Sequence, residues 1–147
     1  MKIALDVMGF ENKTEEAIIA ARKFRKTFND AKIIIFGDEK VIKPLIKEND
    51  EFECVYTTEI VNMDDTPIDA VRKKDTSMLK AILAVKEGKA DAVVSAGSTS
   101  CFVPLVQINL GTINNVKKFG FMPYIPTVNR KGLNMIDVGA NINVTGE

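Results

Sequence analysis

Residues 63–78 read MDDTPIDAVRKKDTSM, and residues 90–99 read ADAVVSAGST. In the first stretch, Thr66-Pro67-Ile68-Asp69 is a helix start: a capping hydroxyl, proline at the first helical position and an acid in the first turn. The predicted helix is short and ends in three consecutive cations, Arg72, Lys73 and Lys74. Ser77 is read as the cap of a second helix, with Met78, Leu79, Ile82, Leu83 and Val85 apolar and Gly88 just past its end. In the second stretch, the short apolar run Ala92 to Ser95 stops at a small-residue turn and enters a helical segment at Thr99. Helix, buried-type strand and helix in succession indicate an α/β protein with a mostly parallel sheet.

The flanks repeat that alternation. Ile3, Ala4, Leu5 and Val7 form a first strand ending near Met8-Gly9. Asn12 and Glu15 have capping-box spacing, and Ala17, Ala21, Phe24 and Phe28 follow at helical intervals. Ile33 to Phe36 reads as a second strand, and a helix follows with Val41, Ile42, Leu45 and Ile46 inward. Pro44 should kink or split that helix. Phe52 to Tyr56 reads as a third strand. Thr99 to about Leu110 is a nearly all-apolar helix interrupted by Pro104, and a helix without a polar face is expected to be buried in the core or against a partner. Residues 121–128 and 133–138 are two more extended runs, the second leading to Asp137-Val138-Gly139-Ala140-Asn141. Only six residues follow, where a helix is expected, so the chain reads as cut at a strand-to-helix junction.

The 147 residues suit a single α/β domain spanning 1–147, and 46% hydrophobic with 27% charged residues is ordinary for a globular chain. Twenty basic and twenty acidic residues balance, which argues against a nucleic-acid binder. The chain has no histidine, which excludes a Ser-His-Asp triad and a His-ligated metal site within it. A general base here must be Asp, Glu or Lys. Cys54 and Cys101 lack metal or redox spacing and read as small core residues in a reducing cytosol. The opening MKIALDVMG is too short and too interrupted by Asp6 for a secretory signal, and no apolar run approaches the ~18 residues of a membrane span.

Ligands of open parallel sheets bind outside the carboxyl ends of the strands. Three such ends are expected: Asp6 to Gly9, Ser95 to Thr99, and Asp137 to Asn141. A small-residue turn entering a helix presents free backbone N–H groups at the positive end of the helix dipole, which suits phosphate or carboxylate. Each feature also has a plainer reading. SAGST can be an ordinary tight turn with a capping hydroxyl. Arg72 to Lys74 can simply complement a helix C-terminus. Asp64-Asp65 can start a turn.

Taken together, the motifs resemble those of a known family, the bacterial phosphate acyltransferases called PlsX. The family's first strand ends in Asp-x-Met-Gly, here Asp6-Val7-Met8-Gly9. Its Met-x-Asp-x-Pro appears as Met63 to Pro67, and its Ala-x-Arg, lysines and Ser-Met as Ala70 to Arg72, Lys73-Lys74 and Ser77-Met78. Its Ser-Ala-Gly-Asn-Thr-Gly-Ala appears as Ser95 to Cys101, with Ser98 and Ser100 as departures. Asp-Val-Gly-Ala-Asn is intact at Asp137 to Asn141, and Phe10-Glu11 replaces the family's Gly-Asp.

The resemblance is collinear and covers the N-terminal part of the family, whose members are about twice as long. It implies a three-layer α/β/α fold, truncated relative to the family, in a cytosolic homodimer able to contact the membrane surface. The implied reaction joins the acyl group of acyl-(acyl carrier protein) to inorganic phosphate, forming acyl phosphate for phospholipid synthesis. No metal or other cofactor is implied. Lys74, Asn141 and Asp6 are the candidate catalytic residues. Met8, Gly9, Arg72, Lys73, Ser77, Gly97, Ser98, Thr99 and Asp137 are the candidate substrate-binding residues. The alternative is a shortened, non-catalytic relative that binds acyl carrier protein, phosphate or a membrane surface.

Overall fold

The computed structural model describes residues 1–11, 13–116, 120–129 and 131–136. The chain divides into two compact units, Met1–Gly111 and Thr112–Glu147. In the first, four strands form a wholly parallel sheet: β1 (Lys2–Asp6), β2 (Lys32–Asp38), β3 (Phe52–Thr57) and β4 (Ala92–Ser95). Their spatial order is β3-β2-β1-β4. The chain therefore winds outward from β1 through β2 to β3, then crosses back to place β4 on the other side of β1. That reversal is a topological switch point.

The strand side chains explain the layers. Successive residues of a strand point to opposite faces. Leu5, Val7, Ile33 and Ile35 meet Ile18 and Ala21 of α1 (Thr14–Thr27) and Ile42 of α2 (Glu39–Ile42) on one face. Ala4, Ile34 and Phe36 meet Ala81 and Ala84 of α4 (Ser77–Lys86) on the other. A sheet covered on both faces favours near-continuous apolar strands, and β2, KIIIFGD, is one. The third apolar cluster lies among helices. Ala70 of α3 (Pro67–Arg72), Met78 and Ile82 of α4, and Cys101 and Leu105 of α5 (Thr99–Leu110) pack around Val61. The architecture is three-layer α/β/α.

Several local expectations need correction. Helix α1 starts at Thr14 with Lys13 at the cap position and no side-chain cap; the Lys13 carbonyl instead accepts from the Glu16 N–H at 2.9 Å. Asn12 lies outside the described residues. Phe28 sits past the last turn of α1 and is half exposed, stacked on Phe24 with ring centroids 4.8 Å apart. Pro44 does split the helix after β2, as a 3-10 turn over Lys43–Leu45. In α2, just before that turn, Ile42 is buried and the adjacent Val41, which points to another side of the helix, is exposed. Thr66 caps α3 in a full capping box with Asp69.

The cap of α4 is Thr76, whose hydroxyl accepts from the Leu79 N–H at 3.2 Å, and Ser77 is the first helical residue. Helix α5 continues through Pro104 without a break. It buries only Cys101 and Leu105 fully, and Ile108 is 62% exposed. The second unit holds an antiparallel pair, β5 (Tyr124–Pro126) and β6 (Gly132–Asn134). The run from 133 is thus no strand of the parallel sheet within the described residues, and all six residues of the pair are exposed. Asp137 and Asn141 lie outside the described residues.

Candidate functional site

The site forms where the switch point places the ends of β1 and β4 side by side. Asp6 and Ser95 are register partners. The Ser95 hydroxyl donates to Asp6 Oδ2 at 2.7 Å, and the Gly97 N–H donates to Ser95 Oγ at 3.1 Å. The Met8 N–H donates to Asp6 Oδ1 at 3.2 Å. One buried carboxyl therefore organises both strand-to-helix turns. Asp6 is 2% exposed, and burial pushes its pKa above the ordinary carboxylate value. The hydroxyls of Ser77 and Ser95 and the Met8 N–H partly oppose that rise. Ser77 matters here because Thr76 does the capping, which frees the Ser77 hydroxyl for Asp6.

Backbone contact brings the turns together. Gly9 has φ of +71°, and a Cβ there would lie 1.9 Å from the Val61 carbonyl oxygen. Only glycine fits, both for the left-handed backbone and for the approach of the loop. A Cβ on Gly97 would meet the Met78 methyl at 2.8 Å and the Gly9 carbonyl at 3.7 Å. Beyond Gly97, Ser98 is buried at the N-cap of α5 without capping it, and its Oγ lies 2.8 Å from that of Ser100. Thr99 is exposed as the first residue of the helix. The first N–H groups of this twelve-residue helix, at Thr99 and Ser100, have no intrahelical acceptor, an arrangement that suits an anion.

The cations are linked to these turns by the loop between β3 and α3. Lys73 donates to the Ile60 carbonyl at 2.8 Å and pairs with the Asp65 carboxylate. That ammonium holds the Asp65 carboxyl below its usual pKa, helped by the Asn62 N–H. The neighbouring Val61 carbonyl is the group pressed on Gly9, and the Asp65 carbonyl accepts from Cys101 Sγ at 3.2 Å. Arg72 and Lys74 are exposed, with Lys74 Nζ donating to the Val71 carbonyl at 2.8 Å.

The structure thus brings Asp6, Met8, Gly9, Ser77 and Gly97 into one contact network. Lys73 is tied to the same network through residues 60–65. Sequence reasoning missed the residues that do the tying: Val61 against Gly9, Asp65 on Lys73, and the carboxylates of Glu59 and Asp75, which accept main-chain N–H groups of Lys74 and Thr58. Acids flanking the run Arg72 to Lys74 were the available signal.

On the α1 side of the same strands an open apolar groove of about 510 Å3 is lined by Leu5, Phe10, Ala17, Phe24, Val94 and Ala96. Val94 is 49% exposed there. Among the described residues no helix is long and apolar enough to cross a membrane.

Comparison with known proteins adds a family. Residues 1–147 match the model of the family described as "Fatty acid synthesis protein". The chain is 52% identical over 141 residues to a phosphate acyltransferase of Malacoplasma penetrans, covering 96% of this chain and 43% of that protein. It is 40% identical over 148 residues to the phosphate acyltransferase of Mycoplasmoides gallisepticum, covering 99% of this chain and 45% of the relative. It is 41% identical over 145 residues to that of Streptococcus mutans, covering 98% and 44%. The chain spans less than half the length of these curated relatives.

Proposed function

The chain belongs to the fatty acid synthesis protein family, that of the PlsX-like phosphate acyltransferases, and from this premise we propose that it carries the phosphate-handling part of an acyl transfer. In this reading inorganic phosphate attacks the thioester carbonyl of acyl-(acyl carrier protein). A carbon–oxygen bond forms, the carbon–sulfur bond breaks, and the proton of hydrogen phosphate ends on the departing thiol. The products are acyl phosphate and the free carrier thiol. The protein's part is to hold a dianion, aim it and stabilise the oxyanion of the tetrahedral intermediate.

The observation that carries this reading is the junction of the two glycine turns around Asp6 at the switch point. The α5 N–H groups with Ser98 and Thr99 bind phosphate, and Arg72 and Lys74 offset its charge. Lys73 is already engaged by Asp65, so it holds the loop and adds positive field. Asp6 takes up the travelling proton, a role that suits a carboxyl whose pKa burial has raised. In this reading Asn141 donates to the oxyanion or to phosphate, and Asp137 orients a lysine or takes up a proton. The apolar groove beside β4 receives the acyl chain, and the exposed Ile108 and Leu110 of α5 support contact with a second copy.

The test is phosphate-dependent loss of acyl-(acyl carrier protein) thioester with the purified chain. Turnover that falls at least about tenfold in Lys74→Ala and Asp6→Asn supports the reading. Turnover indifferent to phosphate, or to both substitutions, overturns it. The full engagement of Lys73 favours a second reading, in which the chain binds phosphate or the carrier without turnover. A folded sample that binds phosphate and leaves the thioester intact selects that reading.

A further inference from the structure

The segment between β3 and α3 and the turn between α3 and α4 are cross-tied by carboxylates in both directions. Glu59 Oε2 accepts the Asp75 N–H at 2.7 Å and the Lys74 N–H at 2.9 Å. Asp75 Oδ2 in return accepts the Thr58 N–H at 2.8 Å and the Thr58 hydroxyl at 2.7 Å. The Glu59 N–H donates to the Asp75 carbonyl at 3.3 Å, and Glu59 bridges in parallel to Thr76. Lys80 of α4 pairs with Asp75 Oδ1 at 2.5 Å and donates to the Tyr56 carbonyl at 3.3 Å. Thr58 is exposed, and Glu59, Asp75 and Lys80 are half-buried. Their bonds lie at the surface, where they tie the two segments together.

The turn so ordered carries Arg72, Lys73 and Lys74 in succession and leads into Ser77, which faces Asp6. Three adjacent cations repel one another, and without anchors a short connection of this kind samples many arrangements. Charge-assisted bonds from one carboxylate to two successive N–H groups restrict it strongly.

We propose that Glu59 and Asp75 are positioning residues: each carboxylate holds the main chain of the other's segment and so sets where Arg72 and Lys74 stand for binding an anion, on either side of the Lys73 that Asp65 holds. The proposal takes its ligand, inorganic phosphate, from the acyl-transfer reading above.

The test uses the whole chain with 15N-labelled amides. Two quantities are read: hydrogen exchange at Lys74 and Asp75, and the affinity for inorganic phosphate from titration of the amide signals. Glu59→Ala is expected to speed exchange at those two amides about tenfold or more while the strand amides of Ile34 and Val93 stay protected. It is expected to weaken phosphate binding about fivefold. Glu59→Gln keeps a carbonyl acceptor and is expected to restore most of both. Asp75→Ala is the second variant and is expected to free the Thr58 amide in the same way. Unchanged exchange in Glu59→Ala, unchanged phosphate affinity, or no phosphate binding by the wild-type chain overturns the proposal. Thioester loss is followed on the same samples. Phosphate binding that depends on Glu59, without thioester loss, sinks the acyl-transfer reading alone and leaves the positioning role intact.

Discussion

The two glycine turns at the switch point look alike in sequence and differ in mechanics. Gly9 has a left-handed backbone, and the main-chain oxygen of Val61 sits where its side chain would be. Gly97 faces the terminal methyl of Met78, the mobile end of a flexible side chain. The first turn is therefore a fixed wall, clamped by backbone. The second rests on a part that can move. For the acyl transfer proposed above, one rigid and one yielding side would let the site grip phosphate and still admit a bulky thioester.

The most disruptive way to break this comparison is Gly9→Ala. The backbone strain and the clash with Val61 should together cost about 2–4 kcal/mol of folding stability, read by denaturant unfolding, with loss of phosphate binding. A neutral result would mean that the Val61 loop moves aside freely, and the fixed wall would be fiction. Next in size is Ser95→Ala, which removes the hydroxyl bond to Asp6 and leaves the Gly97 N–H without its acceptor. A loss of about 1–2 kcal/mol is expected. The Asp6 pKa should rise further, as followed by carboxyl NMR, because Ser95 lowers it in the native chain.

Gly97→Ala should cost less than Gly9→Ala, about 1–2 kcal/mol, since the Met78 methyl rather than a main-chain atom has to give way. A loss as large as that from Gly9→Ala would show both turns to be equally fixed. The smallest effect is one of pH. Asp6 has a raised folded pKa, so its contribution to stability is greatest below the unfolded value of 3.8 and declines as pH rises through the folded value. Asp75 has the opposite sign. The Lys80 side chain first, then the Thr58 hydroxyl and N–H, lower it from 3.8 to about 2. Its contribution is present above 3.8 and fades as pH falls towards about 2. Thermal melts of Asp6→Asn and Asp75→Asn against wild type, between pH 3 and 7 or so, should show differences of opposite slope. Slopes of the same sign would contradict the buried, unpaired character of Asp6.

Much of the fold is legible in the sequence because it rests on short-range rules. The short β-branched apolar run at Ile33 to Phe36, closed by Gly37-Asp38, reads as a buried strand, and Thr66-Pro67 reads as a helix start. The misses have local causes as well. Thr76 and Ser77 are adjacent hydroxyl residues, and either suits a cap by propensity; the turn geometry decides for Thr76 and thereby hands Ser77 to Asp6. The apolar composition of α5 suggests full burial, yet Ile108 and Leu110 are exposed because the first unit provides neighbours for only one side.

The run at 133 shows the limit of pattern reading most plainly. Apolar, extended and short, it resembles a strand of the parallel sheet, and it pairs instead with Tyr124–Pro126. Nothing in a strand's own residues names its partner, because pairing is a contact between two segments; here the partner is the neighbouring run just upstream.

By itself the sequence determined the alternation of strands and helices, the glycines at the turns and the family motifs. These depend on backbone propensity and on periodicity over a few residues. Only the tertiary structure decided that β4 returns beside β1, that Asp6 is buried between Ser77 and Ser95, and that Asp65 takes Lys73 and Glu59 takes the turn after it. Those outcomes depend on which surfaces exclude water together, and a one-dimensional pattern does not encode that.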